Sequence, residues 1–308
     1  MLCSLSAQDF RIVAIDERPG HTMSADLFAT ADNGNTVPGS LNEAVRKYMP
    51  DGTAPASVTT FVMFAGSDIV LFDAGLGNEL WEQKLTEIGV TPKKVSRILL
   101  THTHGDHIGG LMKGDERRFP NAEIRLSREE FAHWMPFMAR TPIGMQEARE
   151  QFASTRFFEA YISPVDGMPF PQTFRSDIWS FNFGDIVFEN AFVKVTAKDA
   201  SGHTPGHTVF LIETKEPETE RSAVSGQSPR RLLIVGDLLH AAALQFPVPE
   251  ACARFDRDME KAVIARKRIL DFAAENNIPI AGMHFPPPSI GTVRKDGNGG
   301  YVFELKGE

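Results

Sequence analysis

Residues 101–110 read Thr-His-Thr-His-Gly-Asp-His-Ile-Gly-Gly, so three imidazoles and one carboxylate fall within six positions. The stretch follows the apolar run 98–100, and a buried strand is expected to end there and release polar side chains into a loop. Linked clusters of histidine and aspartate are typical of metal or catalytic sites, whereas chance clustering of surface histidines is the weaker interpretation. The stretch therefore predicts a metal site.

The spacing inside the stretch suggests two adjacent ions. His102 and His104 are two residues apart and point the same way if strand geometry persists, because strand side chains alternate between faces. Asp106 and His107 follow the Gly105 turn and are predicted to serve a second ion. Imidazole nitrogen with carboxylate oxygen favours zinc, and manganese or iron are the alternatives. Each ion needs about four ligands, so others must come from elsewhere in the chain.

Three further candidates each follow a short apolar run. The Gly-Pro-Gly turn over residues 202–206 exposes His203 as a third ligand for the first ion. Asp237 ends a buried strand, where its two oxygens can bridge two cations, and His284 ends another and supplies the last ligand. His207 enters the next strand and is predicted to pack or to form hydrogen bonds.

Two other polar residues are predicted to support these ligands. Asp73 follows the second strand of a predicted hairpin over residues 58–72, at the carboxyl end of a strand, where open α/β sheets place their sites. We expect it to orient a ligand imidazole, with a loop cap as the alternative. His240 lies near the site by its position in the sequence, and contact with the ligands, a place in the pocket wall and plain packing all stay open.

The strand and helix patterns predict an α/β fold. Asn78 is expected to cap a helix that carries Trp81 and Leu85 on its apolar face, and residues 95–100 return as a strand. This βαβ passage predicts a parallel or mixed sheet. A helix over about residues 256–276 is expected to carry three basic residues outward: Arg266, Lys267 and Arg268. A closing hairpin is expected in the tail, over residues 290–305.

Length and composition restrict the classes of protein. The 308 residues, 42% of them hydrophobic, favour one large domain: an edge strand and loop over residues 1–40, then a catalytic domain over residues 41–308. A net charge of −8 argues against nucleic acid as a partner, and no apolar run is long enough to cross a membrane. Residues 1–7 resemble the end of a signal peptide, so a cytoplasmic location and export both stay open. The sequence also leaves open whether the protein forms a homodimer.

Aromatic residues are concentrated between residues 131 and 183, where 12 occur in 53 positions. Core packing is the expected role for most of them, and several are expected to line an apolar pocket. Residues 214–231 are polar and rich in turn formers, which predicts a solvated hairpin insertion.

The order of these motifs resembles the metallo-β-lactamase superfamily over about residues 57–290. The motifs are His-x-His-x-Asp-His at 102–107, Gly-His at 202–203, Gly-Asp at 236–237 and the late histidine at 284. The resemblance implies a single-domain αββα four-layer sandwich with two divalent metals at one edge. It places His102, His104 and His203 on one ion and Asp106, His107 and His284 on the other. Asp237 would lie between the two ions.

A narrower likeness concerns the activity. Residues 236–247, together with His284-Phe285-Pro286, are similar to the methyl parathion hydrolase and quorum-quenching lactonase group. This resemblance implies hydrolysis of a small apolar lactone, ester or organophosphate triester by a metal-bridging hydroxide, with Asp106 carrying the proton after attack. Two alternatives remain: hydrolysis of a thioester or of RNA on the same metals, and a non-catalytic metal-binding protein.

Overall fold

The structure is a computed structural model that describes residues 4–7, 10–31, 40–138, 162–164, 174–215 and 231–305. Two seven-stranded sheets dominate it, and within each sheet the strands lie side by side in chain order. Every strand of the first sheet precedes every strand of the second in the chain. The two halves of the chain therefore form one sheet each.

The first sheet has an antiparallel half and a parallel half. Its strands are β1 (Ser4–Ala7), β2 (Phe10–Asp16), β3 (Thr59–Ala65), β4 (Asp68–Phe72), β5 (Arg97–Leu99), β6 (Glu123–Ser127) and β7 (Ile178–Phe181). Pairs from β1 to β4 are antiparallel, and pairs from β4 to β7 are parallel. The predicted hairpin and the βαβ passage are thus confirmed. The edge-strand prediction is wrong for β2, because β2 pairs with β1 on one side and β3 on the other.

The second sheet is antiparallel except at one pair of strands. Its strands are β8 (Ile186–Glu189), β9 (Val193–Asp199), β10 (Thr208–Thr214), β11 (Arg231–Ile234), β12 (Ile280–Ala281), β13 (Ile290–Lys295) and β14 (Tyr301–Leu305). The β11–β12 pair is parallel, and the chain between these strands contains a long helix. Strands β13 and β14 form the predicted closing hairpin.

Three of the α-helices begin directly after a residue whose side chain caps them. They are α1 (Leu41–Tyr48), α2 (Glu79–Glu87), α3 (Gly105–Ile108), α4 (Arg128–Met138), α5 (Ala242–Gln245) and α6 (Met259–Glu275). Asn78 caps α2 as predicted, since its side chain accepts a hydrogen bond from the Trp81 amide at 2.9 Å. Asp258 caps α6 in the same way, through the Lys261 amide at 3.0 Å. Among the described helices, none combines the length and apolar character that a membrane span requires.

Short elements complete the description. Turns of 3₁₀ helix cover Ala25–Leu27, Pro92–Lys94, Gly109–Leu111 and Gly236–Leu238. Four two-stranded ribbons pair Thr22–Ser24 with Thr53–Pro55, Phe28–Ala29 with Cys252–Ala253, Met112–Lys113 with Glu116–Arg117, and Ile162–Pro164 with Phe174–Ser176.

Three apolar layers hold the two sheets and the outer helices together. Side chains from both sheets fill the central layer, where the Phe72 and Phe210 ring centroids lie 5.6 Å apart. Trp81 of α2 and Trp134 of α4 pack on the outer face of the first sheet, and Ile269 of α6 packs on the outer face of the second. Helices thus cover both outer faces, and the predicted αββα sandwich is confirmed.

Helix α6 departs from the sequence prediction at Arg266. This side chain was expected to point outward with its two basic neighbours, but only 1% of its surface is exposed. Position 266 falls on the same stripe as the buried Ala262 and Ile269, because residues three and four apart share a helix face. The guanidinium is tolerated there because it donates hydrogen bonds to three backbone carbonyls and lies 3.7 Å from Asp256. Arg268 is exposed as predicted.

The aromatic segment is described in part. Trp134 and Phe181 are buried in the core, which agrees with the packing role, while Trp179 is 61% exposed. None of the segment's side chains within the described residues lines the cavity at the candidate site. The structure describes the backbone but not the side chain of Phe137 and Phe174. The other aromatic residues without a description, and the polar insertion, lie outside the described residues: Phe152, Phe157, Phe158, Tyr161, Phe170 and residues 216–230.

Candidate metal centre

The loops that follow four strands meet at one edge of the sandwich. Strand β5 leads into residues 101–107, the β9–β10 connection carries His203, β11 leads to Asp237, and β12 leads to His284. All seven predicted ligands come together there in two groups that share Asp237. Residues from both halves of the chain are needed to form either group.

The first group consists of His102, His104, His203 and Asp237. One ligand atom from each residue lies within 4.8 Å of the others. The Nδ1 atom of His104 lies 3.0 Å from Nε2 of His102 and 3.0 Å from Nε2 of His203. Three imidazole nitrogens therefore converge on one point.

The second group consists of Asp106, His107, His284 and Asp237, under the same 4.8 Å limit. The Nε2 atom of His107 lies 3.0 Å from Oδ1 of Asp237, and Nε2 of His284 lies 3.3 Å from Oδ2. Oδ2 also lies 3.4 Å from Nε2 of His203 in the first group. Asp237 thus stands between the two groups.

The donor atoms fit two divalent cations. Oδ1 of Asp237 and Nε2 of His107 are buried, and although they lie 3.0 Å apart, neither forms a hydrogen bond with the other or with another described group. Buried polar atoms without partners are costly, and a bound cation is one way to satisfy them. Imidazole with carboxylate suits zinc, manganese or iron.

The electrostatics of the site keep the first group neutral and the shared carboxylate ionised. Burial lowers the pKa of His102 well below its usual range, that of His104 to about 3 and that of His203 to about 4. Burial alone would raise the pKa of Asp237, but His107 and His284 outweigh it and hold that pKa well below the usual range. Neutral imidazole and ionised carboxylate are the forms that ligate metals.

Acceptors beneath the site hold three of the imidazole rings. Asp73 accepts hydrogen bonds from the Thr101 amide at 2.7 Å and its hydroxyl at 2.8 Å, and its Oδ2 lies 2.8 Å from Nδ1 of His107. Asp73 thus has the orienting position predicted for it. Asp256 lies 2.8 Å from Nδ1 of His203, and the Ser57 carbonyl lies 2.9 Å from Nδ1 of His284. Such contacts fix the ring and leave the opposite nitrogen for a metal.

Two further histidines contact Asp237. His207 has Nε2 3.0 Å from the Asp237 amide, which donates to it, and Nδ1 3.1 Å from the Ala200 carbonyl. These contacts confirm the hydrogen-bonding role predicted for His207. His240 places Nε2 3.1 Å from Oδ2 of Asp237 and stacks on His284 with centroids 5.3 Å apart. His240 therefore belongs to the site rather than to a remote part of the core.

Glu130 of α4 joins the two loops that carry the first group, a role that the sequence analysis missed. The carboxylate is fully buried. Oε1 accepts hydrogen bonds from the amide and hydroxyl of Thr103, both at 3.2 Å, and from Nε1 of Trp134 at 2.8 Å. Oε2 accepts from the Gly206 amide at 3.0 Å. No local pattern distinguishes this glutamate from the neighbouring Glu129, because its partners are distant in the chain.

We expect Glu130→Gln to weaken the protein and its first metal position. The amide nitrogen that replaces one carboxylate oxygen cannot accept a hydrogen bond, so a buried donor loses its partner. The free energy of unfolding should fall by about 1–3 kcal/mol. Metal affinity should fall by roughly 10–100-fold, as for other groups that orient ligands. Urea unfolding and chelator competition measure the two effects.

Glu129→Gln is the matched control for this prediction, since Glu129 is adjacent and exposed. Equal stability and equal metal affinity in the two variants would show that Glu130 does not join the loops.

A cavity of about 460 Å³ opens above the two groups. Part of its lining is apolar, from Met23, Val58, Leu76 and Phe255. His21 also lines it. The loop after β2 folds back over the site, which no local pattern around His21 reveals.

Glu17 fixes that loop. Its buried Oε2 accepts hydrogen bonds from the amides of Leu76 and Gly77 at 3.0 and 3.1 Å. A Cβ atom at Gly75 would lie 1.5 Å from Oε1, and the residue has a φ of +59°, so both the close approach and the backbone favour glycine here. Burial raises the pKa of Glu17 to about 8 in spite of the two amides.

Glu17 should make the protein less stable as the pH rises. The pKa of its carboxyl is about 8 in the folded protein against 4.5 for an unperturbed glutamate, so between these values the folded state binds more protons than the unfolded state. Stability then falls with rising pH across this window. We expect Glu17→Gln to remove this fall, which urea unfolding at about pH 5 and about pH 8 can measure. Glu116→Gln, at an exposed position, should keep it. A constant difference between wild type and Glu17→Gln at both pH values would contradict the assignment.

Comparisons with known proteins agree with this fold. A sequence model of the Metallo-beta-lactamase superfamily matches residues 53–215. The solved hydrolase AbOPH of the beta lactamase superfamily is 27% identical, with a TM-score of 0.72, over 100% of this chain and 98% of its own. The dizinc quorum-quenching lactonase AidC is 18% identical, with a TM-score of 0.75, over 100% of this chain and 98% of its own. The second likeness shows the fold alone.

Curated relatives match only a short stretch. An atrochrysone carboxyl ACP thioesterase of Aspergillus fumigatus is 38% identical over 53 residues, which is 17% of either chain. A ribonuclease Z of Pyrococcus furiosus is 39% identical over 59 residues, or 19% of this chain and 18% of its own. The match therefore spans less than a fifth of these relatives.

Proposed function

Because this chain belongs to the metallo-beta-lactamase superfamily, we propose that it is a dinuclear metal-dependent hydrolase of lactones, esters or organophosphate triesters. The observation that carries the proposal is the position of Asp237, whose two oxygens face two complete sets of metal-ligand atoms. A carboxylate in this position allows two cations to lie close together.

The proposed ligands divide as the family pattern implies. His102, His104 and His203 would hold one ion, and Asp106, His107 and His284 the other, with Asp237 between them. Bound divalent ions supply Lewis acidity and lower the pKa of water towards neutrality. The protein supplies the geometry, because Asp73, Asp256 and the Ser57 carbonyl keep three of the imidazoles in their orientation.

Asp106 is the proposed proton carrier. Its side chain is 29% exposed and lines the cavity, whereas Asp237 is only 3% exposed. Burial would raise the pKa of Asp106, but His107 and His284 lower it below the usual range, so the carboxylate is ionised and able to accept a proton. A substrate in the cavity would therefore lie near an ionised carboxylate.

The cavity supports a small substrate with an apolar part. Its volume suits one small molecule, and Met23, Val58, Leu76 and Phe255 offer contacts to an acyl or aryl group. The net charge of −8 disfavours a polyanion such as RNA. The solved relative that is 27% identical is itself named a hydrolase, which is consistent with this proposal.

A substrate panel with metal analysis tests the proposal. We expect turnover of a lactone, an aryl ester or a phosphotriester, loss of that turnover with a chelator, and recovery with zinc or manganese. Turnover of only a thioester or an RNA substrate would favour the alternative activities seen among the short sequence matches. A metal-loaded protein that hydrolyses none of these substrates would contradict the proposal.

A further inference from the structure

A short turn after β2 brings two nitrogen donors into the cavity lining. Arg18 and His21 both line the cavity, and neither belongs to the proposed ligand groups. The Arg18 side chain is exposed, and none of the described carboxylates forms an ion pair with it. His21 is half-buried, and burial together with the neighbouring Arg18 guanidinium lowers its pKa. These donors are therefore left for a group that enters the cavity.

The turn is held in place from both of its ends. The Asp16 carboxylate accepts a hydrogen bond from the Arg18 amide at 2.9 Å, and the Arg18 carbonyl accepts one from the His21 amide at 3.0 Å. The Glu17 amide donates to the Val58 carbonyl at 2.7 Å, and the His21 carbonyl accepts from the Ala56 amide at 3.0 Å. The donors are thus presented on a fixed backbone, which reduces the entropy lost on binding.

We propose that Arg18, assisted by His21, binds an oxygen acceptor of the substrate, a carboxylate or a carbonyl, at a distance from the bond that is broken. The inference rests on the proposed function and deepens it by adding a polar requirement to an apolar substrate. A guanidinium suits this task because it presents several N–H donors in one plane. Leu76 and Phe255 line the same cavity and can contact the methylene groups between the two ends.

Three matched aryl esters test the proposal by activity. The test uses the 4-nitrophenyl esters of hexanoate, of monomethyl adipate and of adipate, which share a leaving group and a chain length. The hexanoate ester has no oxygen at its far end, the monomethyl adipate ester has a carbonyl there, and the adipate ester has a carboxylate. We expect the wild-type enzyme to prefer the last two. We measure this preference as kcat/KM for each of these two esters divided by kcat/KM for the hexanoate ester. Arg18→Met should reduce the ratio by about tenfold, mainly by raising KM. The larger loss identifies the acceptor as carboxylate or carbonyl.

Arg294→Met is the matched control, because Arg294 is an exposed arginine on β13 that pairs with Glu304 of β14. It should keep the wild-type preference. A loss of the same size for all three esters in Arg18→Met, or no loss for any, would overturn the proposal.

A binding measurement separates this proposal from the proposed function. Calorimetry with adipate and with hexanoate reports recognition without turnover. We expect the wild-type protein to bind adipate more tightly than hexanoate, and Arg18→Met to lose most of the difference. A wild-type protein that binds adipate no more tightly than hexanoate overturns the role of Arg18. Absence of ester turnover with this difference intact overturns only the proposed function.

Discussion

We expect Asp237→Asn to lower turnover by at least about 10³-fold, because loss of a group that only orients a metal ligand already costs roughly 10–100-fold. Asparagine keeps the shape of the side chain but removes the negative charge between the two groups. Oδ1 lies 3.0 Å from His107, and Oδ2 lies 3.3 Å from His284, so both oxygens are used. Metal analysis of the purified variant should show that at least one proposed ion is lost.

Two controls make this result specific. Asp51→Asn alters an exposed aspartate of the same type and should keep full turnover and metal content. Circular dichroism of Asp237→Asn should show a folded protein, since the three apolar layers do not include this residue. Wild-type turnover in a variant with a reduced metal content would refute the dinuclear assignment.

The second large effect is expected at Arg266, where Arg266→Met should lower the free energy of unfolding by about 3–5 kcal/mol. Methionine fills much of the volume, but it leaves the carbonyls of Leu238, Pro249 and Ala251 without their donor. It also leaves Asp256 without the buried cation that lies 3.7 Å away. Urea unfolding of the two proteins measures the difference.

Arg268→Met is the matched control on the same helix. Arg268 is about half exposed and its ion pair with Asp199 lies at the surface, so this change should cost less than about 1 kcal/mol. Because Asp256 also contacts His203, Arg266→Met should further weaken metal binding in the first group, whereas Arg268→Met should not. Similar unfolding free energies for the two variants would show that the buried contacts of Arg266 add little.

The site residues were accessible to sequence analysis because their signals are local. The histidines of residues 102–107 lie next to one another in the chain, and His203, Asp237 and His284 each follow a short apolar run. A strand that ends at a sheet edge releases its next residues into a loop. An apolar run followed by a polar residue therefore predicts a strand that ends at a site. The structure brings all seven together, and the metal-ligand roles remain a proposal.

Several supporting residues could not be predicted in this way. Three carboxylates act through partners that are distant in the chain. Glu130 lies 76 residues from Gly206, Asp256 lies 53 residues from His203, and Glu17 lies 59 residues from Leu76. Nothing near these carboxylates distinguishes them from solvated ones. The inner position of β2 depends on its pairing with β1 as well as with β3, and β3 begins more than forty residues later.

The amino-acid sequence by itself determined the two hairpins, the βαβ passage and the residues that approach the metal centre, because periodicity, caps and turns act between near neighbours. The αββα class followed from the resemblance to a known family. Only the tertiary structure decided that Arg266 is buried and that Arg18 and His21 face the cavity. The environment of a charged side chain depends on which distant carbonyls, carboxylates and apolar surfaces surround it. Those neighbours exist only once the two sheets have packed together.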